Sequence, residues 1–293
     1  MTHTIENDKM RIAVDDHGAE LVSIYDKEQE REVLWQADPA FWKRHAPVLF
    51  PHVGKHYNNE YHYNGKAFQT HQHGFARDLD FECIAKTECS VTHRLTATQE
   101  TKDYFPFDFE LDITHTVNEK NITVTWKVAN LGEEEMYFTI GGHPAFRVPI
   151  LPDTKQTDYC LLFKTDQDHL TYLLLDPASG TAVADKKYSL PVEKGRAAIT
   201  ADMFDQDALV FDDTQIEYAA IGYPDGTPYL SVTCKGFPNF GIWSVPGAPY
   251  ICLEPWIGRC DDLGFTGEIS TKPGILSLPA KEIFERNYTI TVY

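Results

Sequence analysis

The chain has 293 residues, 42% apolar and 13% aromatic, enough for a sizeable core in one large domain or two ordinary ones. Its net charge of −18 argues against nucleic acid and anionic membrane surfaces as partners, since both need basic patches. No apolar stretch is long enough for a membrane-spanning helix, no secretory signal is visible, and the six cysteines include no Cys-x-x-Cys, so a reduced cytoplasmic protein without a zinc site is expected.

In chain order, residues 5–14 and 19–25 read as two strands around the turn cluster Asp15-Asp16-His17-Gly18. Residues 26–32 are charged and read as a loop or hairpin tip. Asp38-Pro39 predicts a short helix, with Asp as cap and Pro at the first position, carrying Phe41 and Trp42. Residues 48–54 are apolar and end near Gly54. Residues 58–70 carry Tyr61, Tyr63 and Phe68 around Asn64-Gly65, a hairpin signal. His71 and His73 stand in a His-x-His pattern. On a strand such a pair shares one face and can hold a metal, but no third ligand follows at a telling spacing.

The clearest alternation covers 107–129. Phe107, Phe109, Leu111, Ile113, His115 and Val117 alternate with polar residues, a turn falls at 118–121, and Ile122, Val124, Trp126 and Val128 continue the pattern. This predicts a long antiparallel hairpin with one apolar face, in which His115 is a satisfied core or groove histidine. Residues 131–135 form an acidic turn before the β-rich run 136–140. Next comes Gly141-Gly142-His143-Pro144-Ala145-Phe146. Paired glycines allow close backbone approach, and proline fixes the chain after the imidazole. Alone, His143 is either an inert turn histidine or a proton donor near neutral pH.

Residues 150–200 alternate apolar runs with loop punctuation, and 203–211 place acidic residues before a short strand. A turn at 223–228 precedes strands at 230–234 and 241–245. Tyr250-Ile251-Cys252-Leu253 reads as a buried strand ending at Glu254-Pro255-Trp256. Glu254 is then either a strand-end carboxylate facing water or a partly buried base with a raised pKa. Residues 258–268 form a glycine-rich loop beside it, and 283–292 form the last strand. The many short strands and turns indicate an all-β sandwich or barrel, with no internal repeat.

Three pieces, His73-Gly74-Phe75-Ala76-Arg77, Gly142-His143-Pro144 and Cys252-Leu253-Glu254-Pro255, occur in this order and at this spacing. Together they make the chain resemble the aldose 1-epimerase (galactose mutarotase) superfamily over nearly its whole length. The first piece looks most like the hexose-6-phosphate 1-epimerase branch and related bacterial members. The resemblance implies a single domain over 1–293, a large antiparallel β-sandwich of the galactose mutarotase-like supersandwich type, and a concave face for a monosaccharide. It implies Glu254 as base, His143 as acid, and His73, Arg77 and Asp207 as sugar contacts, with Asp205 a close competitor for the last role. No metal or cofactor is implied, and the chain is expected as a monomer or homodimer. Where family members commonly carry Arg after the glycine, this chain has Lys55, a point charge in place of a planar fork, so the sugar contact expected from Lys55 is altered or absent.

The implied reaction interconverts the α and β anomers of a free hexose such as galactose, by acid–base opening and reclosing of the ring. Trp256 and Phe146 either face the sugar ring or pack in the core. The rival enzyme reading is a hexose-6-phosphate epimerase with a basic rim drawn from Lys43, Arg44, Lys55 and Arg77. No cluster of arginines appears beside the motifs, apart from Arg77, and the negative net charge mildly disfavours an anion. A non-catalytic carbohydrate-binding protein needs neither proton-transfer group, and a glycoside hydrolase needs a second carboxylate facing Glu254.

Overall fold

The alternation over 107–129 sets the register of the largest sheet. Phe109–Asn118 and Asn121–Asn130 pair antiparallel from Phe109↔Asn130 to Asn118↔Asn121, leaving Glu119 and Lys120 as the turn. The computed structural model describes residues 1–293; 48% of them lie in strands and 6% in helices, which makes the fold all-β. Two antiparallel sheets carry most of it. The nine-stranded sheet runs in the order Arg196–Ala198, Cys160–Phe163, Tyr218–Gly222, Pro228–Thr233, Ile283–Val292, Asn121–Asn130, Phe109–Asn118, Ser90–Thr96, Glu82–Lys86. The second runs Ala182–Pro191, His169–Leu175, Leu209–Phe211, Asn239–Trp243, Tyr250–Ile257, Ile140–Gly142, Val48–Leu49, and Ala145–Arg147 also pairs with Tyr250–Ile257. A four-stranded sheet, Thr2–Glu6, Met10–Asp15, Leu21–Asp26 and Arg31–Glu32, lies at the amino-terminal end.

One apolar core joins the sheets. It contains Val91, Leu111, Val124 and Ile290 from the nine-stranded sheet, and Leu209, Phe211, Phe240, Ile242, Ile251 and Leu253 from the second. The residues between them in sequence must point to the other face, because side chains alternate along a strand. There Val210, Trp256, Leu49 and Leu173 form a smaller cluster. The second sheet is therefore buried on one face and carries a cavity on the other.

Several local expectations change. Residues 5–14 are the end of one strand, a turn and a second strand; Asn7 Oδ1 accepts from the Lys9 and Met10 amides and closes that turn. Asp38-Pro39 begins a single turn and no helix. Asp38 Oδ1 does cap the Ala40 amide, but no further turn follows. The run 136–140 divides at Thr139: Met136–Phe138 pairs with Leu276–Leu278, and Ile140–Gly142 enters the second sheet. Asn64 and Gly65 form the hairpin tip with φ of 51° and 70°, as a two-residue turn with a left-handed backbone requires. His71 and His73 lie in a loop after that hairpin, so they share no strand face. His115 is buried as expected, but its Nδ1 has no hydrogen-bond partner.

Candidate active site

The cavity on the open face of the second sheet has a volume of about 310 Å³, in the range of small-ligand sites. Period two on three strands supplies its floor: Val210, Trp243 and the pair Glu254 and Trp256. Trp256 lies flat because its flanking strands carry glycine beside it. A Cβ on Gly141 would stand 2.6 Å from Trp256 Cδ1, and one on Gly241 2.5 Å from its Cζ2. Gly142 makes room on the opposite face, where a Cβ would stand 2.8 Å from the Tyr288 hydroxyl.

Glu254 does not end its strand. Tyr250–Ile257 runs through it with every residue buried. What ends there is the neighbouring ladder. Ala145–Arg147 pairs with Tyr250 to Cys252, Ile140–Gly142 resumes at Trp256 and Ile257, and His143-Pro144 fills the interruption. The Leu253 amide donates across this gap to the Pro144 carbonyl at 3.3 Å. Residue 255 directs its nitrogen to the same side, two residues on, where a proline sacrifices no ladder bond. The two prolines thus mark one interruption. It sets the His143 ring beside Glu254, with Nε2 3.3 Å from Oε2.

Both groups are almost fully shielded from water. Burial, aided by the Asp207 charge, holds the Glu254 carboxyl well above its usual range. Burial and the nearby Arg77 cation push the His143 imidazole down to about 3. Burial thus penalises the charged form of each, and two groups this close titrate as a pair. Glu254 Oε2 and His143 Nδ1 make no hydrogen bond, and Trp256 Nε1 is likewise unpartnered. Trp42 stacks on His143 with ring centroids 4.8 Å apart, and Trp243 meets it edge-on at 5.6 Å.

His73 lines the same cavity, 5.6 Å from His143 between ring centroids. Its Nδ1 accepts from the Gly54 amide at 3.0 Å, so the neutral ring carries its proton on Nε2. Burial and the Arg77 charge hold it well below the usual histidine range, which makes it a neutral donor. Arg77 also lines the cavity and donates from Nη2 to the Gln72 carbonyl at 2.7 Å. Asp207 faces the cavity with Glu254, whereas Asp205 opens into an adjoining groove of about 520 Å³. Lys55 lies in that groove too and does not line the first cavity. The two spaces share Gln72, Leu175, Gly180 and Asp207. Trp256 is a cavity residue; Phe146 is fully buried in the main core.

Trp42 and Trp243 line the cavity without having been given a site role in the sequence. Trp42 comes from the irregular segment read as a helix, and Trp243 from a strand whose alternation already put Phe240 and Ile242 in the core. The parity of that strand was the available signal for Trp243. Of the four candidates for a basic rim, Arg44 and Arg77 line the cavity and Lys43 and Lys55 do not, and Arg44 reaches Asp78 at 2.7 Å. Nitrogen, sulfur and oxygen atoms of His143, Cys252 and Glu254 come within 4.8 Å of one another; His143 and Glu254 line the cavity, whereas Cys252 is fully buried behind them. His71 is exposed and belongs to no such set. No helix is long and apolar enough to cross a membrane.

A family model described as aldose 1-epimerase matches residues 1–188. The protein LacX, chromosomal, of Lactococcus lactis subsp. lactis is 30% identical over 100% of this chain and 99% of its own. Among solved structures, a galactose mutarotase related enzyme from Lactobacillus acidophilus superposes with a TM-score of 0.94 at 31% identity, covering 100% of this chain and 97% of that one. A galactose mutarotase-like protein from Lactobacillus casei ATCC 334 gives 0.93 at 30% identity, covering 100% of both chains.

Proposed function

The chain belongs to the aldose 1-epimerase family, and on that premise we propose that it interconverts the α and β anomers of a free aldohexose, with Glu254 as base and His143 as acid. The observation that carries this reading is the facing pair, 3.3 Å apart at the floor of a sugar-sized cavity.

In the reacting form the proton sits on His143 and Glu254 is anionic. Glu254 takes the proton of the C1 hydroxyl, and His143 gives its own to the ring oxygen. The C1–ring oxygen bond breaks, and the open-chain aldehyde forms. The pair is now neutral, the state that burial favours. Rotation about the C1–C2 bond presents the other aldehyde face, and the two protons return as the ring recloses. His73 Nε2–H donates to the ring region, while Arg77 and Asp207 orient hydroxyl groups. Trp42, Trp243 and Trp256 exclude water and offer apolar faces to the ring carbons. Lys55, in the adjoining groove, makes at most a peripheral contact with the sugar.

A second reading has one specific observation behind it. Arg44 and Arg77 together line the cavity, and two guanidinium groups suit a 6-phosphate. Against it, Asp207 and Glu254 share that cavity and Asp78 engages Arg44. Comparing kcat/KM for galactose, glucose and their 6-phosphates at two salt concentrations decides between them. The free sugars are expected to match or exceed the phosphates. A phosphate preference above about tenfold, about 1.4 kcal/mol, that weakens with salt overturns the free-sugar assignment.

A further inference from the structure

Away from the cavity, ligand-type side chains converge where the four-stranded sheet meets the edge of the nine-stranded one. At this junction the Phe81 amide donates to the Asp16 carbonyl at 2.8 Å, and the Glu6 amide to Glu88 at 2.9 Å. His3 comes from Thr2–Glu6 and Asp16 from the turn after Met10–Asp15. Cys83 and His93 are direct partners across the ladder of Glu82–Lys86 and Ser90–Thr96. The ladder slips just after Cys83, a bulge of the kind that re-aims a side chain.

His3 Nε2 lies 2.7 Å from Asp16 Oδ1, and His93 Nε2 3.3 Å from the same oxygen. Ligand atoms of His3, Cys83 and His93 lie within 4.8 Å of one another. The other Asp16 oxygen receives the Met1 amino group at 3.0 Å. His93 is completely buried, yet neither ring nitrogen has a hydrogen-bond partner. A buried imidazole in that condition has lost its contacts with water and gained no hydrogen bond in exchange unless something binds it. His3 and Cys83 are partly open to solvent, which leaves a path inward.

We propose that His3, Cys83 and His93, with Asp16 as fourth ligand, bind a zinc ion or a similar borderline-soft divalent cation that clamps the two sheets together. Two imidazoles, a thiolate and a carboxylate are a tetrahedral zinc set, whereas calcium and magnesium want oxygen throughout. At metal–ligand bonds of about 2.0–2.3 Å the ligand atoms must close to roughly 3.3–3.8 Å of one another. Thr2–Glu6 and Glu82–Lys86 are both edge strands and have the freedom to do so.

The test is zinc titration of the chelator-stripped full chain against a chromogenic competitor, in the wild type, Cys83→Ser, His93→Gln and Glu254→Gln. Glu254→Gln disables the trio of His143, Cys252 and Glu254 and so separates the two clusters. One equivalent is expected to persist in Glu254→Gln and to weaken by about tenfold or more in Cys83→Ser, which loses one of four ligands. Zinc should raise the melting temperature of the wild type and Glu254→Gln but not of Cys83→Ser. If His93→Gln fails to fold, Cys83→Ser alone decides, because that side chain is partly exposed. The proposal is overturned if no zinc binds, if binding vanishes with Glu254→Gln and ignores Cys83→Ser, or if magnesium and calcium bind as well as zinc.

Discussion

In the proposed reaction Glu254 and His143 work as a pair that carries one proton between its two members. A second proton can enter only by charging His143, whose pKa lies at about 3. The last can leave only by ionising Glu254, whose pKa is raised well above 4.5. Between these limits the pair keeps its single proton, so kcat/KM should show a plateau that falls off on the acid side and on the basic side. A pH–rate profile checks this; an acid limb centred near 6.5, the ordinary imidazole value, would mean that the essential acid is a solvated histidine and not this one. At this scale the sequence was informative about residue type. Gly142-His143-Pro144 and Cys252-Leu253-Glu254-Pro255 named the two groups, and the structure brings them face to face. It could not tell Asp207 from Asp205, because both precede the same strand and only the backbone, left-handed at Asp207 with φ of 75°, decides which one enters the cavity.

The element that positions the pair is the strand Tyr250–Ile257 with its interrupted neighbour. Its apolar run was legible, but its end was misplaced, because a Glu followed by Pro normally stops a strand. Here both fit, the Glu because it faces a cavity and the Pro because its missing donor falls at the gap. Gly141, the first of the paired glycines, was read correctly as a close approach, though its partner, Trp256, lies more than a hundred residues away and only cross-strand register reveals it. Gly141→Ala should therefore cost about 1–3 kcal/mol from overpacking and tilt the indole into the cavity. Denaturant unfolding with parallel kinetics checks both effects; wild-type stability and rate in this variant would show that the Trp256 ring is not wedged by its neighbours. Trp42 stayed hidden for a different reason. Its segment has no regular periodicity, and tertiary contacts alone place it over His143.

Across the whole molecule, alternation over 107–129 and the many short strands and turns announced an all-β protein, and the two large sheets bear that out. Which face of the second sheet would hold a cavity was not legible, since both faces of its central strand are buried. The proposed mechanism uses only protein acids and bases, so anomer exchange is expected to survive exhaustive chelation, even though the same treatment strips the proposed clamp at His3, Cys83 and His93. Loss of exchange with EDTA, restored by zinc or manganese, would move the chemistry to a metal held by His143, Cys252 and Glu254. The catalytic assignment is tested most directly by NMR exchange between α and β anomers of galactose and glucose, with the wild type, Glu254→Gln and His143→Asn. Exchange by the wild type well above the uncatalysed rate, and loss of about 10²–10⁴-fold in each variant with unfolding midpoints retained, is the predicted result; no acceleration of any sugar by the wild type, or near wild-type exchange in either variant, contradicts it.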